Sequence, residues 1–191
     1  GGNRFEDLIV ADGLSTGIRS ENATENTIRR VRLIGNFEGA HLAGGSVIID
    51  SIAQGNGSWG FRLTGDGGNK LVNNIATGNQ QGIAVLGDGN DLRGNIAEEN
   101  VEYGISVWGD DANLKGNTAS HNDGWGISVS GAGASLLAND SIGNSGNGFE
   151  IRNGDAKVLK NKAIHNGSAG FAVRNAQVKF SRNVAVGNLQ E

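Results

Sequence analysis

Residues 82–98 read GIAVLGDGNDLRGNIAE, and residues 104–120 repeat that pattern as GISVWGDDANLKGNTAS. The opening motif, a glycine followed by two apolar residues on either side of a variable one, recurs at a spacing of 22 residues. It begins at Gly60, Gly82, Gly104, Gly126, Gly148 and Gly170, and a related motif begins at Gly39. A fixed period of roughly 20 to 50 residues is typical of repeat proteins, whose stacked units share one core.

Each unit also contains an apolar position and two asparagines, with a small residue between the asparagines. The apolar column is Leu71, Leu92, Leu114, Leu136, Val158 and Phe180. The asparagine columns are Asn74, Asn95, Asn117, Asn139, Asn161 and Asn183, and Asn56, Asn79, Asn100, Asn122, Asn144, Asn166 and Asn188. The small column is Ala53, Ala76, Ala97, Ala119, Ser141, Ala163 and Ala185. Apolar and polar positions alternate within each unit, so we expect three short strands, each with one buried face.

Asparagine and glycine tolerate left-handed backbone conformations, and they occur where these strands must bend. A unit of three strands and three bends forms one coil, and stacked coils about 4.8 Å apart bring identical residues above one another. We therefore predict an all-β, right-handed parallel β-helix, a solenoid of about eight coils of about 22 residues. Leucine-rich repeats have a similar period, but they need a denser leucine pattern and only one asparagine column.

The pattern G-I-x-V followed by L-x-x-N-x-A-x-x-N resembles the parallel β-helix repeat of pectate-lyase-like proteins, alginate epimerases and lyases, and periplasmic β-helix proteins. The resemblance covers residues 31–188. It implies the fold and an extracellular or periplasmic protein associated with polysaccharides. It implies no single activity, because these relatives include enzymes, binding modules and structural fibres.

Composition narrows the class of protein. We expect one domain, with residues 1–30 as an irregular N-terminal segment or cap and residues 31–191 as the β-helix. The last coil has no evident cap, so we expect the chain to be part of a larger protein. A net charge of −4 argues against nucleic-acid binding, and the absence of cysteine excludes disulfides. No apolar run is long enough to span a membrane.

Aromatic residues form the first break in the repeat. Trp59, Tyr103 and Trp125 each directly precede a repeat glycine, and Trp108 lies across the same strand from Tyr103. Rings spaced along a rigid surface suit the faces of a sugar polymer, although they could simply pack over the strand edge. Arginines on the same face could pair with a uronate carboxylate. The predicted substrate-binding residues are Trp59, Tyr103, Trp108, Trp125, Arg62 and Arg152.

Aspartates in the turn after this strand form the second break. We expect Asp66, Asp88 and Asp110 to form one column beside Asp111, which could hold calcium or act as acid and base. The four aspartates are the candidate calcium ligands, and Asp88, Asp110 and Asp111 are the catalytic candidates; ordinary tight turns are the alternative. The pair Asp110-Asp111 is similar to the paired aspartates of polygalacturonases. However, that family's companion motifs are missing, as is the Asp-Pro-His-Glu motif of alginate epimerases.

An apolar stripe is the third break. Ile142, Ile164 and Val186 follow the small inward-facing residue, so by alternation they should face outward on three adjacent coils. Such a stripe could contact a neighbouring domain or a second copy of the chain in a homo-oligomer.

Three functions fit these features. The leading hypothesis is an extracellular protein that binds a polysaccharide along the aromatic-lined strand face. The second is a structural segment of a surface fibre or adhesin that stacks or oligomerises. The third is a lyase, hydrolase or epimerase that acts on an acidic polysaccharide, although no complete catalytic constellation is visible.

Overall fold

The computed structural model describes residues 1–190 as a parallel β-solenoid of 24 strands, and this part of the chain contains no α-helix. Accordingly, no helix within it is long and apolar enough to cross a membrane. Each coil contributes one strand to each of three stacks, which we call sheets 1, 2 and 3. Sheet 2 contains nine strands, one from each coil, close to the predicted number of about eight coils.

Sheet 1 contains β1 (Arg4–Glu6), β4 (Thr27–Arg29), β7 (Val47–Ile49), β10 (Lys70–Val72), β13 (Asp91–Arg93), β16 (Asn113–Lys115) and β19 (Ala134–Leu137). Sheet 2 contains β2 (Ile9–Ala11), β5 (Arg32–Ile34), β8 (Ile52–Gln54), β11 (Ile75–Thr77), β14 (Ile96–Glu98), β17 (Thr118–Ser120), β20 (Asp140–Ile142), β22 (Lys162–Ile164) and β24 (Val184–Val186). Sheet 3 contains β3 (Thr16–Ser20), β6 (Glu38–Leu42), β9 (Trp59–Leu63), β12 (Gln81–Leu86), β15 (Ile105–Trp108) and β18 (Ile127–Ser130). The long strands β21 (Phe149–Leu159) and β23 (Phe171–Ser181) run from sheet 3 into sheet 1.

The strands pair in the register that the repeat predicts. Ile83 of β12 pairs with Ile105 of β15, and Ala76 of β11 pairs with Ala97 of β14. All these pairings are parallel, so equivalent residues stack in columns along the solenoid axis. The apolar columns fill the interior: residues such as Phe61, Ile105 and Leu114 are completely buried. Burial of this apolar surface is the main force that holds the coils together.

Asparagine ladders satisfy the polar groups at the bends between the sheets. The side-chain oxygen of Asn139 accepts hydrogen bonds from the backbone and side-chain amides of Asn117, both at 2.9 Å. The side-chain nitrogen of Asn117 also donates to the carbonyl of Leu92 at 2.9 Å. Asn117 is therefore hydrogen-bonded to the coils on both sides of it. Among residues 1–190, no buried side-chain nitrogen or oxygen is left without a partner.

Residues 1–30 form regular structure where we expected an irregular segment or cap. Strands β1, β2 and β3 pair in parallel with β4, β5 and β6, so this segment is part of the stack of coils. This coil was not recognised from the sequence because it lacks the consensus asparagines. The backbone hydrogen bonds align Leu8 with Asn74 and Gly13 with Asn56 of later coils. The expectation of irregular structure is corrected on this point, while a single domain and a larger parent protein stay predictions.

Candidate groove on sheet 3

The outer face of sheet 3 has a floor of small side chains. Ala84, Ser106 and Ser128 stack in register on β12, β15 and β18. They alternate with inward-facing residues and therefore point outward. Nevertheless they are only 2%, 2% and 5% exposed, because larger side chains stand on both sides of them. The floor is therefore the bottom of a groove that runs along the solenoid axis.

Larger residues form the two walls of this groove. Trp59 and Gln81 lie where their strands begin, with Tyr103 in the equivalent position one coil further on. Leu86 and Trp108 lie where their strands end, and they pair with each other across β12 and β15. Together with Arg62 and Ala84, these residues line an open pocket of about 570 Å³. The structure thus brings together Trp59, Tyr103, Trp108 and Arg62, four of the predicted substrate-binding residues.

The aromatic wall is held in place by specific contacts. The indole N–H of Trp59 donates a 2.8 Å hydrogen bond to the side-chain oxygen of Gln81. The side-chain nitrogen of Gln81 donates in turn to Glu102 at 2.6 Å. Trp125 extends the wall by one coil, because its ring stacks on Tyr103. The rings are therefore fixed before any ligand arrives, which reduces the entropy lost on binding.

The two predicted arginines lie at opposite ends of the groove, each against a tryptophan. The guanidinium of Arg62 lies 4.1 Å from the ring centre of Trp59, and that of Arg152 lies 4.4 Å from the ring centre of Trp125. Both distances are within the range of cation–π attraction. Each arginine therefore supports an aromatic wall residue.

A buried carboxylate lies at the C-terminal end of the groove. Glu150 has no exposed side-chain surface; it accepts a hydrogen bond from Arg152 at 2.7 Å and forms an ion pair with Arg174 at 2.8 Å. Asn147 donates a second hydrogen bond to it. A buried charge is tolerated only when it is paired and hydrogen-bonded in this way.

A polar cluster around His41, at the other end of the groove, was not predicted from the sequence. Nδ1 of His41 lies 3.0 Å from a carboxylate oxygen of Glu21 and 3.6 Å from one of Glu38. Nε2 lies 3.4 Å from the hydroxyl of Thr64. Burial lowers the pKa of His41 and the nearby Arg62 lowers it further, while the two carboxylates oppose the shift. The available signal was that a histidine, His41, stands at the variable position of the repeat motif, which is Arg62, Ala84 and Ser106 in the next three coils.

The predicted aspartate column is only partly present. Gly67 pairs with Asp88, so Asp66 is displaced from the column by one residue; the turn before β10 is longer than its successors. The carboxylate of Asp88 accepts a 2.8 Å hydrogen bond from the backbone N–H of Asp110, whose own carboxylate accepts one from Ala132 at 2.7 Å. These aspartates therefore brace successive turns.

The predicted calcium ligands are Asp66, Asp88, Asp110 and Asp111. Within residues 1–190, no group of three or more histidine or acidic side chains converges in an arrangement that could hold a metal ion. None of the four aspartates lines the pocket of the groove. Their expected roles in calcium binding and catalysis therefore gain no support from this geometry and stay predictions.

The apolar stripe lies on sheet 2, away from the groove. Ile142 pairs with Ile164, which pairs with Val186, so the three form one column as expected. Val186 is 50% exposed, whereas the two isoleucines are partly buried. A partner for this stripe stays a prediction.

Comparisons with known proteins agree with the fold. A family model described as a right-handed β-helix region matches residues 59–190, more than half of the chain. This match confirms both the predicted hand of the solenoid and the resemblance in the repeat. No curated protein matches the chain.

Solved structures similar to the chain include two A-modules of mannuronan C-5 epimerases from Azotobacter vinelandii. The AlgE6 module is 14% identical, with a TM-score of 0.51, and the match covers 100% of this chain and 79% of that one. The AlgE4 module is 13% identical, with a TM-score of 0.47, and the match covers 100% and 76%. At 14% identity the likeness to the AlgE6 module shows the fold alone.

Proposed function

The chain belongs to the right-handed β-helix family, and we propose that it binds a polysaccharide along the groove on sheet 3. One observation carries this proposal: Trp59, Tyr103 and Trp108 surround a single pocket of about 570 Å³. This volume lies within the range of about 300–1,000 Å³ that is typical of ligand sites. A polymer is favoured over a small molecule because the aromatic wall continues to Trp125 on the next coil.

The chemistry of the groove suits sugars. Aromatic rings offer flat apolar surfaces to the C–H faces of a pyranose, while fixed polar groups beside them give orientation. Here Gln81 supplies the polar group on the wall, since its bonds to Trp59 and Glu102 use only one of its two amide hydrogens and one lone pair of its oxygen. One protein of similar fold is named for epimerising mannuronan; the groove, and not that likeness, supports the proposal. The proposal carries with it an extracellular or periplasmic location.

The test is retention on a panel of immobilised polysaccharides, with polymer size followed in parallel. We expect at least one polymer to retain the chain without being shortened. Trp108→Ala should weaken retention, because Trp108 is 40% exposed and lines the pocket. Phe37→Ala is the matched control, since Phe37 is 57% exposed and does not line the pocket. Equal loss in both variants, or no retention on any polymer, would refute the proposal.

Catalysis on the bound polymer is a second candidate, favoured by the cluster around His41. A general base and a charge-neutralising cation are what proton abstraction needs, and His41 and Arg62 lie together beside Trp59. However, both ring nitrogens of His41 are already engaged, by Glu21 and Thr64. Shortening or epimerisation of a retained polymer, abolished in His41→Gln, would establish this activity. A structural role in a fibre or adhesin stays a prediction for which the groove offers no specific support.

A further inference from the structure

We infer that the groove selects an uncharged stretch of polysaccharide over a polyuronate. This inference deepens the proposed function and rests on it. It comes from the ion pairs and hydrogen bonds that the charged side chains beside the groove already form within the protein.

The central part of the groove has no cation. On β12, β15 and β18 the outward-facing residues are Ala84, Leu86, Ser106, Trp108, Ser128 and Ser130. A polymer that carries a carboxylate on each sugar would place several of these charges over this neutral surface. Removing a carboxylate from water without a cationic partner is costly, whereas a hydroxyl group can pair with the side-chain amide of Gln81, which lines the pocket.

The arginines at the two ends are committed to other partners. Arg62 lies against Trp59, and one of its terminal nitrogens is 3.7 Å from a carboxylate oxygen of Glu38. Arg152 lies against Trp125 and donates to Glu150. Because Glu150 is completely buried, turning Arg152 towards a ligand would weaken the pairing of a buried charge. Neither arginine is therefore free to bind a uronate at no cost.

An acidic group, Glu102, stands behind the aromatic wall. Its two carboxylate oxygens accept hydrogen bonds from Gln80 at 2.9 Å and Gln81 at 2.6 Å, and both donors are neutral amides. Among residues 1–190, no basic side chain forms an ion pair with Glu102 within 4.0 Å. Its full negative charge therefore acts on whatever lies against Gln81, and it repels a carboxylate there.

The experiment compares polymers that differ only in charge. Polymannuronate and polygalacturonate are each measured beside the product of reducing their carboxyl groups to hydroxymethyl groups, at low ionic strength. We expect the groove to bind a reduced polymer at least about tenfold more tightly than its acidic parent. Only the part of the binding that is lost in Trp108→Ala counts as binding in the groove. A tighter complex with an acidic parent would overturn the inference but leave the proposed function intact.

Two variants that each remove one negative charge test the cause of this preference. Glu102→Gln should narrow the preference for the reduced polymer by about threefold or more, because it removes the repulsion while keeping the size of the side chain and an acceptor for one of the two glutamine amides. Glu98→Gln removes the same charge on the outer face of sheet 2, and it should leave the preference unchanged. An unchanged preference in Glu102→Gln would overturn the role of Glu102 in selection. If no polymer of either kind is bound, the proposed function fails together with this inference.

Discussion

The rings of Tyr103 and Trp125 stack across adjacent coils, with their centres 5.0 Å apart and their planes 25° from parallel. The two residues occupy equivalent positions in successive repeats, so the regular spacing of the coils sets the spacing of the rings. Because the rings lie face to face, the pair presents their edges as one continuous apolar strip. A sugar chain placed on it would contact both rings without any rearrangement of the backbone.

Replacing Trp125 should therefore weaken polymer binding. We expect Trp125→Ala to lower the affinity about tenfold, equivalent to about 1.4 kcal/mol, because it removes one ring and leaves Arg152 without its aromatic partner. Trp125→Phe should keep most of the affinity. Isothermal titration with a retained polymer measures both variants. Wild-type affinity in Trp125→Ala would show that the polymer does not reach this coil.

The asparagine ladder should be the most sensitive polar feature of the fold. Asn117→Ala removes the acceptor used by Asn95 and the donor used by Leu92, and it leaves those buried groups unpaired. We expect the free energy of unfolding in urea to fall by about 2 kcal/mol or more. Asn113→Ala is the control, because Asn113 is partly exposed and its side chain bonds only to Asp91. Similar losses in both variants would argue against a special role for the ladder.

Asp110 should act as a brace for the turns rather than as a calcium ligand. Its carboxylate accepts the backbone N–H of Ala132, so Asp110→Ala should cost about 1 kcal/mol of stability and Asp110→Asn much less. Millimolar calcium or a chelator should leave the midpoint of thermal unfolding unchanged. A calcium-dependent rise of the midpoint that disappears in Asp110→Asn would instead reveal a cation site.

His41 should make stability depend on pH. Burial lowers its pKa below the ordinary value of 6.5, so the folded protein disfavours the protonated ring. The unfolded chain then binds the extra proton, and stability falls as the pH drops below about 6.5 towards the folded-state pKa. His41→Gln should have a smaller difference between its unfolding free energies at pH 7.5 and pH 5.5. An equal or larger difference would mean that other groups cause the pH dependence.

Much of the fold could be predicted because the repeat is written in the sequence itself. Ala76 and Ala97 hold equivalent positions in the repeat, as do Ile83 and Ile105. Stacked coils should pair such residues in parallel and in register, and the structure confirms it. The aromatic column was also predictable, since Trp59 and Tyr103 occupy the same position relative to the repeat glycine. Periodicity fixes which residues share a column, and therefore which side chains are neighbours.

The remaining features depend on departures from the repeat. One extra residue between Gly60 and Leu71, compared with Gly82 and Leu92, shifts Asp66 out of the aspartate column. The spacing records this extra residue, but it does not say at which position of the turn the residue lies. The contact between His41 and Glu21 joins two coils of which the first lacks the consensus asparagines. Likewise, the burial of Glu150 follows from how Arg152 and Arg174 fold over it, which the pattern of polar residues does not reveal.

Since the groove runs along the axis on which the coils stack, its length changes only in whole steps. Duplication of one 22-residue unit would add about 4.8 Å of floor and one residue to each wall, and deletion would remove the same amount. Unequal recombination between the tandem units could thus adjust how many sugars are held, while leaving the existing contacts undisturbed. A groove shaped by irregular loops cannot be lengthened in equal steps in this way.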